Sequence, residues 1–141
     1  NRYSKENPAV GFINGFNFKR GGMVSTIAHD SHNIICVGVD DDVILELVEW
    51  AQANKGGIAV HDGESIHGLP LPVAGILSDK PAFEVAKVYL KLNNISKKMG
   101  CTLEAPFMTL SFMALLVIPE LKIGNKGLFD VNTFSLTSIY I

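Results

Sequence analysis

Gly21-Gly-Met-Val-Ser-Thr-Ile-Ala-His-Asp-Ser-His-Asn33, followed by Ile34-Ile-Cys-Val-Gly-Val39, sets two apolar runs on either side of a polar insert. Met23 to Ala28 reads as a short strand. Ile34 to Val39 reads as a near-continuous apolar strand of the kind buried on both faces. The insert, His29 to Asn33, puts two imidazoles, a carboxylate, a hydroxyl and an amide into consecutive positions: His29, Asp30, Ser31, His32 and Asn33. Polar groups that dense between buried runs must satisfy one another or face a ligand, because each one left buried and unpaired costs about 1–3 kcal/mol.

Upstream of this stretch, Ala9 to Asn14 reads as a strand turned by Gly15. Phe16 and Phe18 follow at period two, and Lys19 to Gly22 is a turn signal. Downstream, Asp40, Asp41 and Asp42 suit the N-terminus of a helix, where carboxylates cap free amides and complement the dipole. That helix spans about 42–54, with Val43, Ile44, Leu47, Val48 and Ala51 as its apolar stripe and Gly56-Gly57 at its end. Ile58 to Val60 is a strand. His61-Asp62-Gly63-Glu64 then turns the chain into Ser65, Ile66 and His67. A polar hairpin at a sheet edge accounts for both histidines there without ligands.

Leu69-Pro70-Leu71-Pro72, continuing to Asp79, stays extended and lacks two amide donors, which excludes it from a sheet centre. Its apolar content implies cover: it lines a pocket, packs on a partner domain or forms a buried crossover. A long helix over about 81–99 follows, capped by Ser78 or Asp79. Val85, Val88, Leu92, Ile95 and Met99 form its stripe, and Lys87, Lys91, Lys97 and Lys98 its solvated face. Pro106 to Pro119 is a helix, or a helix then a strand, with Met108, Phe112 and Leu115 on one face. Gly124 to Gly127 is a turn, and Val131 to Ile141 supplies the last strand. These elements predict one α/β domain over 1–141, of mixed α+β character. Its expected form is a layered sandwich of a mixed β-sheet with two main helices packed on it.

Composition narrows the function. Hydrophobic residues make up 48% and charged residues 18%, enough for a sizeable core and unlike a disordered chain. A net charge of −2, with arginine only at Arg2 and Arg20, argues against nucleic acid. The longest strongly apolar run, Phe112 to Ile118, falls far short of the roughly 20 residues of a membrane span. Cys36 and Cys101 form no CxxC pair and fit a reducing cytoplasm. The start at Asn1, without methionine, reads as a cut piece or a chain whose beginning is missing, and no signal-peptide pattern precedes it.

Motifs for autonomous chemistry are thin. His29-x-x-His32 has ligand spacing on a helix, but on a strand or loop that spacing points the rings apart, and no third ligand follows in sequence. Asp30, Asp62 and Asp79 are candidates only in principle. Ser25, Ser31 or Ser78 with His29 or His32 supplies triad composition, yet there is no G-x-S-x-G elbow. Gly21 and Gly22 lack the spacing of a phosphate-binding loop.

Four ordered blocks carry a resemblance. They are Gly15-Phe16-x-Phe18-Lys19-Arg20-Gly21-Gly22, Ala28-His-Asp-Ser-His-Asn33, Leu69-Pro-Leu-Pro-Val-Ala-Gly75-Ile-Leu-Ser-Asp79, and Pro106-Phe-Met-Thr-Leu-Ser-Phe112 continuing to Val117-Ile-Pro-Glu-Leu121. Together they resemble the C-terminal domain of bacterial adenine deaminases, which belong to the amidohydrolase superfamily. The resemblance implies hydrolysis of adenine to hypoxanthine and ammonia by a metal-bound hydroxide, with manganese or iron held in an N-terminal barrel that bears a His-x-His motif. This chain has no His-x-His and is shorter than the roughly 200 residues a barrel needs. The chain by itself is therefore expected to hold no metal and to be inactive. Its partners are expected to be the barrel of the same enzyme, adenine, and further copies in a cytoplasmic homo-oligomer, with neither nucleic acid nor membrane. The implied role places His29, Asp30, Ser31, His32 and Asn33 at the purine pocket or a domain interface, and Leu69, Pro70, Leu71 and Pro72 against the barrel. The rival is a non-catalytic binding or assembly module.

Overall fold

The central strand β1 (Gly22–Ser25) lies inside a four-stranded sheet of order β2-β1-β3-β4, in a computed structural model that describes residues 7–29 and 31–140. Its neighbours are β2 (Ile35–Gly38) and β3 (Gly57–His61), with β4 (Ile66–Pro70) at the far edge. Val24 faces Cys36 on one side and Ala59 on the other. Side chains alternate across a strand, so Met23 and Val24 enter different cores. Met23 joins Ile35, Val60, Leu92, Met99, Phe107 and Leu110. Val24 joins Leu47, Ala51 and Ala59.

Helices therefore cover both faces. α1 (Asp41–Ala53) sits on the Val24 side and buries Leu47 and Ala51. Asp40 caps it, Oδ1 accepting from Val43 N at 2.8 Å, while Asp41 and Asp42 occupy the first turn, as their spacing predicts. α2 (Ala82–Lys98) and the short α3 (Pro106–Phe112) lie on the Met23 side. A separate three-stranded antiparallel sheet follows: β5 (Leu121–Gly124), β6 (Gly127–Asp130) and β7 (Ser135–Thr137). Ile123 N donates to Met113 O at 2.8 Å and joins that sheet to the end of α3.

The α+β class and the two principal helices agree with the sequence reading. The pairing differs from the expected mixed sheet: among the described strands every pair is antiparallel. α1 does make a crossover, since β2 and β3 run in the same direction. β1 is inserted between them and pairs antiparallel with both. A periodicity argument sees the helix between two strands but not the third strand that separates them.

Other local expectations are corrected. Ala9 to Asn14 forms no strand, because no neighbour offers it a ladder, and Phe12 is left 92% exposed. β2 is an edge strand, so Ile35 is buried while Cys36 and Val37 are only half-buried. Neither Ser78 nor Asp79 caps α2: Pro81 is the N-cap, and Ser78 Oγ instead accepts from Lys80 N at 3.1 Å. α3 stops at Phe112, well before Pro119, and Met108 points outward. Val131 to Ile141 is not one strand. Asp130 Oδ1 accepts from Asn132 N and Thr133 N, and that turn confines pairing to β6 and the short β7; Ile141 lies outside the described residues. Among the described residues no helix is long and apolar enough to cross a membrane.

Candidate functional site

The polar insert begins where β1 runs out of partners. Ser25 Oγ closes a local turn with Ile27, accepting from its N at 3.0 Å and donating to its O at 2.9 Å. Buried Thr26 ties three segments together: its N donates to Gly57 O at 3.0 Å, its Oγ1 accepts from Gly57 N at 2.8 Å, and the same hydroxyl donates to Gly75 O. That junction needs glycines. Gly56 sits at φ 120°, and a Cβ there would lie 2.4 Å from the Gly75 Cα.

Beyond this anchor the loop is held by α3 and by a bond within its own backbone. His29 N donates to Ser111 O at 3.2 Å, and His32 N donates to Ala28 O at 2.7 Å with His32 at φ 49°. The His32 N–Ala28 O bond closes a turn, and the two imidazole centroids lie 6.3 Å apart at 52°. Spacing on a strand or loop predicts rings that point apart; here the segment folds into a turn instead. His29 stacks on Phe112 with centroids 5.0 Å apart. Asn33 Nδ2 donates to Ser31 Oγ at 3.1 Å. Asp30 lies outside the described residues.

These side chains do not converge on one cavity. The loop is a divide between three clefts. His29 borders one of about 640 Å³, walled by Ile58, Leu71, Tyr89 and Phe107. Ser31 and Asn33 border a second of about 340 Å³ with Gln52 and Asn125, and His32 and Asn33 a third of about 170 Å³ with Thr26 and Lys55. Sequence reasoning missed Ser111 and Phe112 as partners of His29. The only earlier signal was that both stand in the Pro106–Phe112 block.

The extended proline segment splits by residue. Leu69 and Leu71 are buried in the domain's own core, whereas Pro70 and Pro72 are exposed. β4 tolerates Pro70 because it is an edge strand.

A metal site finds no support in the donor set. Among the described residues no three of His, Cys, Asp or Glu gather as ligands, and His29 is engaged with the face of Phe112. The hairpin histidines are bonded within the domain, and His61 lies buried on the internal strand β3 rather than at the sheet edge. His61 Nδ1 accepts from Gly63 N at 3.1 Å, so Nε2 carries the proton toward Glu46 Oε2 at 3.0 Å. Asp62 Oδ1 accepts from Glu64 N and Ser65 N, each at 2.9 Å. These amides, with His67 at 2.8 Å, hold the Asp62 carboxyl well below the usual carboxylate range. Ser65 Oγ and Asp62 Oδ2 both meet the same Nε2 of His67, at 3.2 and 2.8 Å. A nucleophilic triad needs acid and nucleophile on opposite ring nitrogens, so this trio is not one. Burial pushes the Cys36 thiol up to about 12, an inert group rather than a nucleophile.

The family model described as adenine deaminase C-terminal domain matches residues 1–135. The adenine deaminase of Methanosarcina mazei is 51% identical over 139 residues, which is 99% of this chain and 25% of that protein. The adenine deaminase of Sulfurovum sp. is 51% identical over 95% of the chain and 25% of its own length. That of Salinibacter ruber is 43% identical over 100% of the chain and 26% of its own length. The chain thus spans about a quarter of the length of the curated relatives it matches.

Proposed function

Because the chain belongs to the adenine deaminase C-terminal domain family, we propose that it serves as one part of a cytoplasmic enzyme that hydrolyses adenine to hypoxanthine and ammonia. The metal of that reaction, manganese or iron, would be held by the N-terminal amidohydrolase barrel. Among the described residues no three of His, Cys, Asp or Glu gather to hold such an ion. The domain packs on the barrel and presents the 29–33 loop at the mouth of the purine pocket, shaping it and limiting access of water.

The observation that carries this reading is the fixed position of His29. Its amide is bonded to Ser111 O, its ring is stacked on Phe112, and it borders a cleft of about 640 Å³. An imidazole held that firmly at an open edge is preorganised to hydrogen-bond a polar heterocycle or a facing loop. Pro70 and Pro72, exposed and rigid, offer a further packing surface to the barrel.

The test is substitution in the full-length protein. His32→Ala and His29→Ala are expected to lower turnover with metal content and folding intact. Unchanged kinetics in both would remove the pocket role.

A second reading, an assembly module that joins copies of the enzyme, is favoured by the second sheet, where Leu121, Phe134 and Leu136 are all exposed. Sedimentation of the full-length protein with Leu136→Asp separates the two readings. Loss of oligomer with full turnover supports assembly; loss of turnover with the oligomer intact supports the pocket.

A further inference from the structure

α2 carries two apolar stripes, and the core uses only one. Val85, Val88, Leu92, Ile95 and Met99 face the sheet. Phe83 and Leu90, two turns apart with Ala86 between them, point the other way and are 74% and 62% exposed. Leu77 on the loop before α2 is 61% exposed and Met108 on α3 56%. These side chains belong to one surface. Leu77, Ala86 and Met108 line the cleft that His29 borders, while Phe83, Ala86 and Leu90 line a shallow depression on the outer side of α2. Ala86 is the low ridge common to both. Large apolar side chains gathered on one face, rimmed by charge, mark an interaction surface rather than scattered exposure.

Apart from His29, the charged side chains that line the cleft and the depression are lysines. Lys80 borders the cleft, and Lys87, Lys91 and Lys98 border the depression. Glu84 is the only carboxylate within Ala82–Lys98. A second copy docked here about a two-fold axis would set this lysine rim against itself, since an isologous contact pairs a patch with the same patch. Like-charge juxtaposition of that kind disfavours the contact. The complementary occupant is an apolar surface with an acidic border. The relatives match this domain over only 25–26% of their length, so most of their polypeptide lies outside it and can supply one.

We infer that the face formed by Leu77, Phe83, Leu90 and Met108 docks on the rest of the same polypeptide, against an apolar surface rimmed by Asp and Glu. This rests on the reading that the domain serves a longer enzyme, and it names the surface by which it does so. Docking there brings His29 to the seam, because His29 borders the same cleft.

The experiment uses the full-length protein with single cysteines at Leu77→Cys, Phe83→Cys and Met108→Cys, and Glu64→Cys at the exposed hairpin tip as reference. Maleimide labelling at neutral pH is expected to be at least tenfold slower at the three apolar positions than at Glu64→Cys. The paired change Lys87→Glu with Lys91→Glu is expected to restore most of the labelling rate at Phe83→Cys. Labelling at the reference rate at all three positions overturns the inference. So does protection that disappears on dilution to the monomer, which would make the occupant a second copy. Turnover of His29→Ala tests the pocket role independently of labelling. Reference-rate labelling together with lost turnover in His29→Ala removes this surface and keeps that reading; protection with unchanged turnover does the reverse.

Discussion

The His29 ring lies on the Phe112 ring, centroids 5.0 Å apart and planes 26° apart, so the polar loop after β1 and the last residue of α3 form one unit. Offset aromatic pairs contribute about 0.5–1.5 kcal/mol beyond their buried area. The stack, with the His29 N–Ser111 O bond, ties the position of the imidazole to α3.

Removal of that platform should release the loop. Phe112→Ala in the full-length protein is expected to lower turnover in the same direction as His29→Ala, with the double variant no worse than the more damaging single one. Additive losses, measured as a double-mutant cycle on kcat/KM, would show that the two rings act independently.

Thr26 should be a stability hot point. Its hydroxyl bridges Gly57 N and Gly75 O in a buried setting, so Thr26→Val leaves both backbone groups without that partner. A loss of about 1–3 kcal/mol in urea unfolding is expected. Thr26→Ser, which keeps the oxygen, should recover most of it.

Acid sensitivity should trace to the hairpin tip. The Asp62 carboxyl is held below its ordinary value of 3.8 first by the Ser65 and Glu64 amides and then by His67. A depressed folded value means that its contribution is fully present above about pH 4 and is lost as pH falls further. Asp62→Asn should lower stability at neutral pH and flatten the acid limb of a stability profile. A variant with the native acid limb would assign that limb to other groups.

Cys36 should behave in the opposite sense. Desolvation raises its thiol from 9.0 to about 12. The neutral thiol's contribution is complete below pH 9 and is lost as pH rises toward about 12. Labelling of the folded chain at pH 8 should leave Cys36 unmodified, and Cys36→Ala should flatten the alkaline limb between those values.

The helix start at Asp40 provides a local check. Asp40→Ala removes the bond to Val43 N and is expected to cost about 1 kcal/mol by thermal or urea unfolding.

The sequence by itself determined the features that depend on neighbours a few residues away. The Asp40 cap and the apolar stripe of α1 follow from side chains meeting amides within one turn. The Asp62-Gly63 hairpin and the Gly124–Gly127 turn follow from backbone preference. The confinement of Pro70 to an edge follows from a missing donor. The four ordered blocks identified the family. Only the tertiary structure decided the rest. β1 enters between β2 and β3 and makes the sheet antiparallel, Leu69 and Leu71 turn into the core, and Ala9 to Asn14 finds no ladder. The turn closed by His32 N on Ala28 O draws His29 and His32 together, and His29 is fixed on Phe112. Apart from that local turn, each of these rests on contacts between residues far apart in the chain, which hydrophobic periodicity and turn chemistry do not encode.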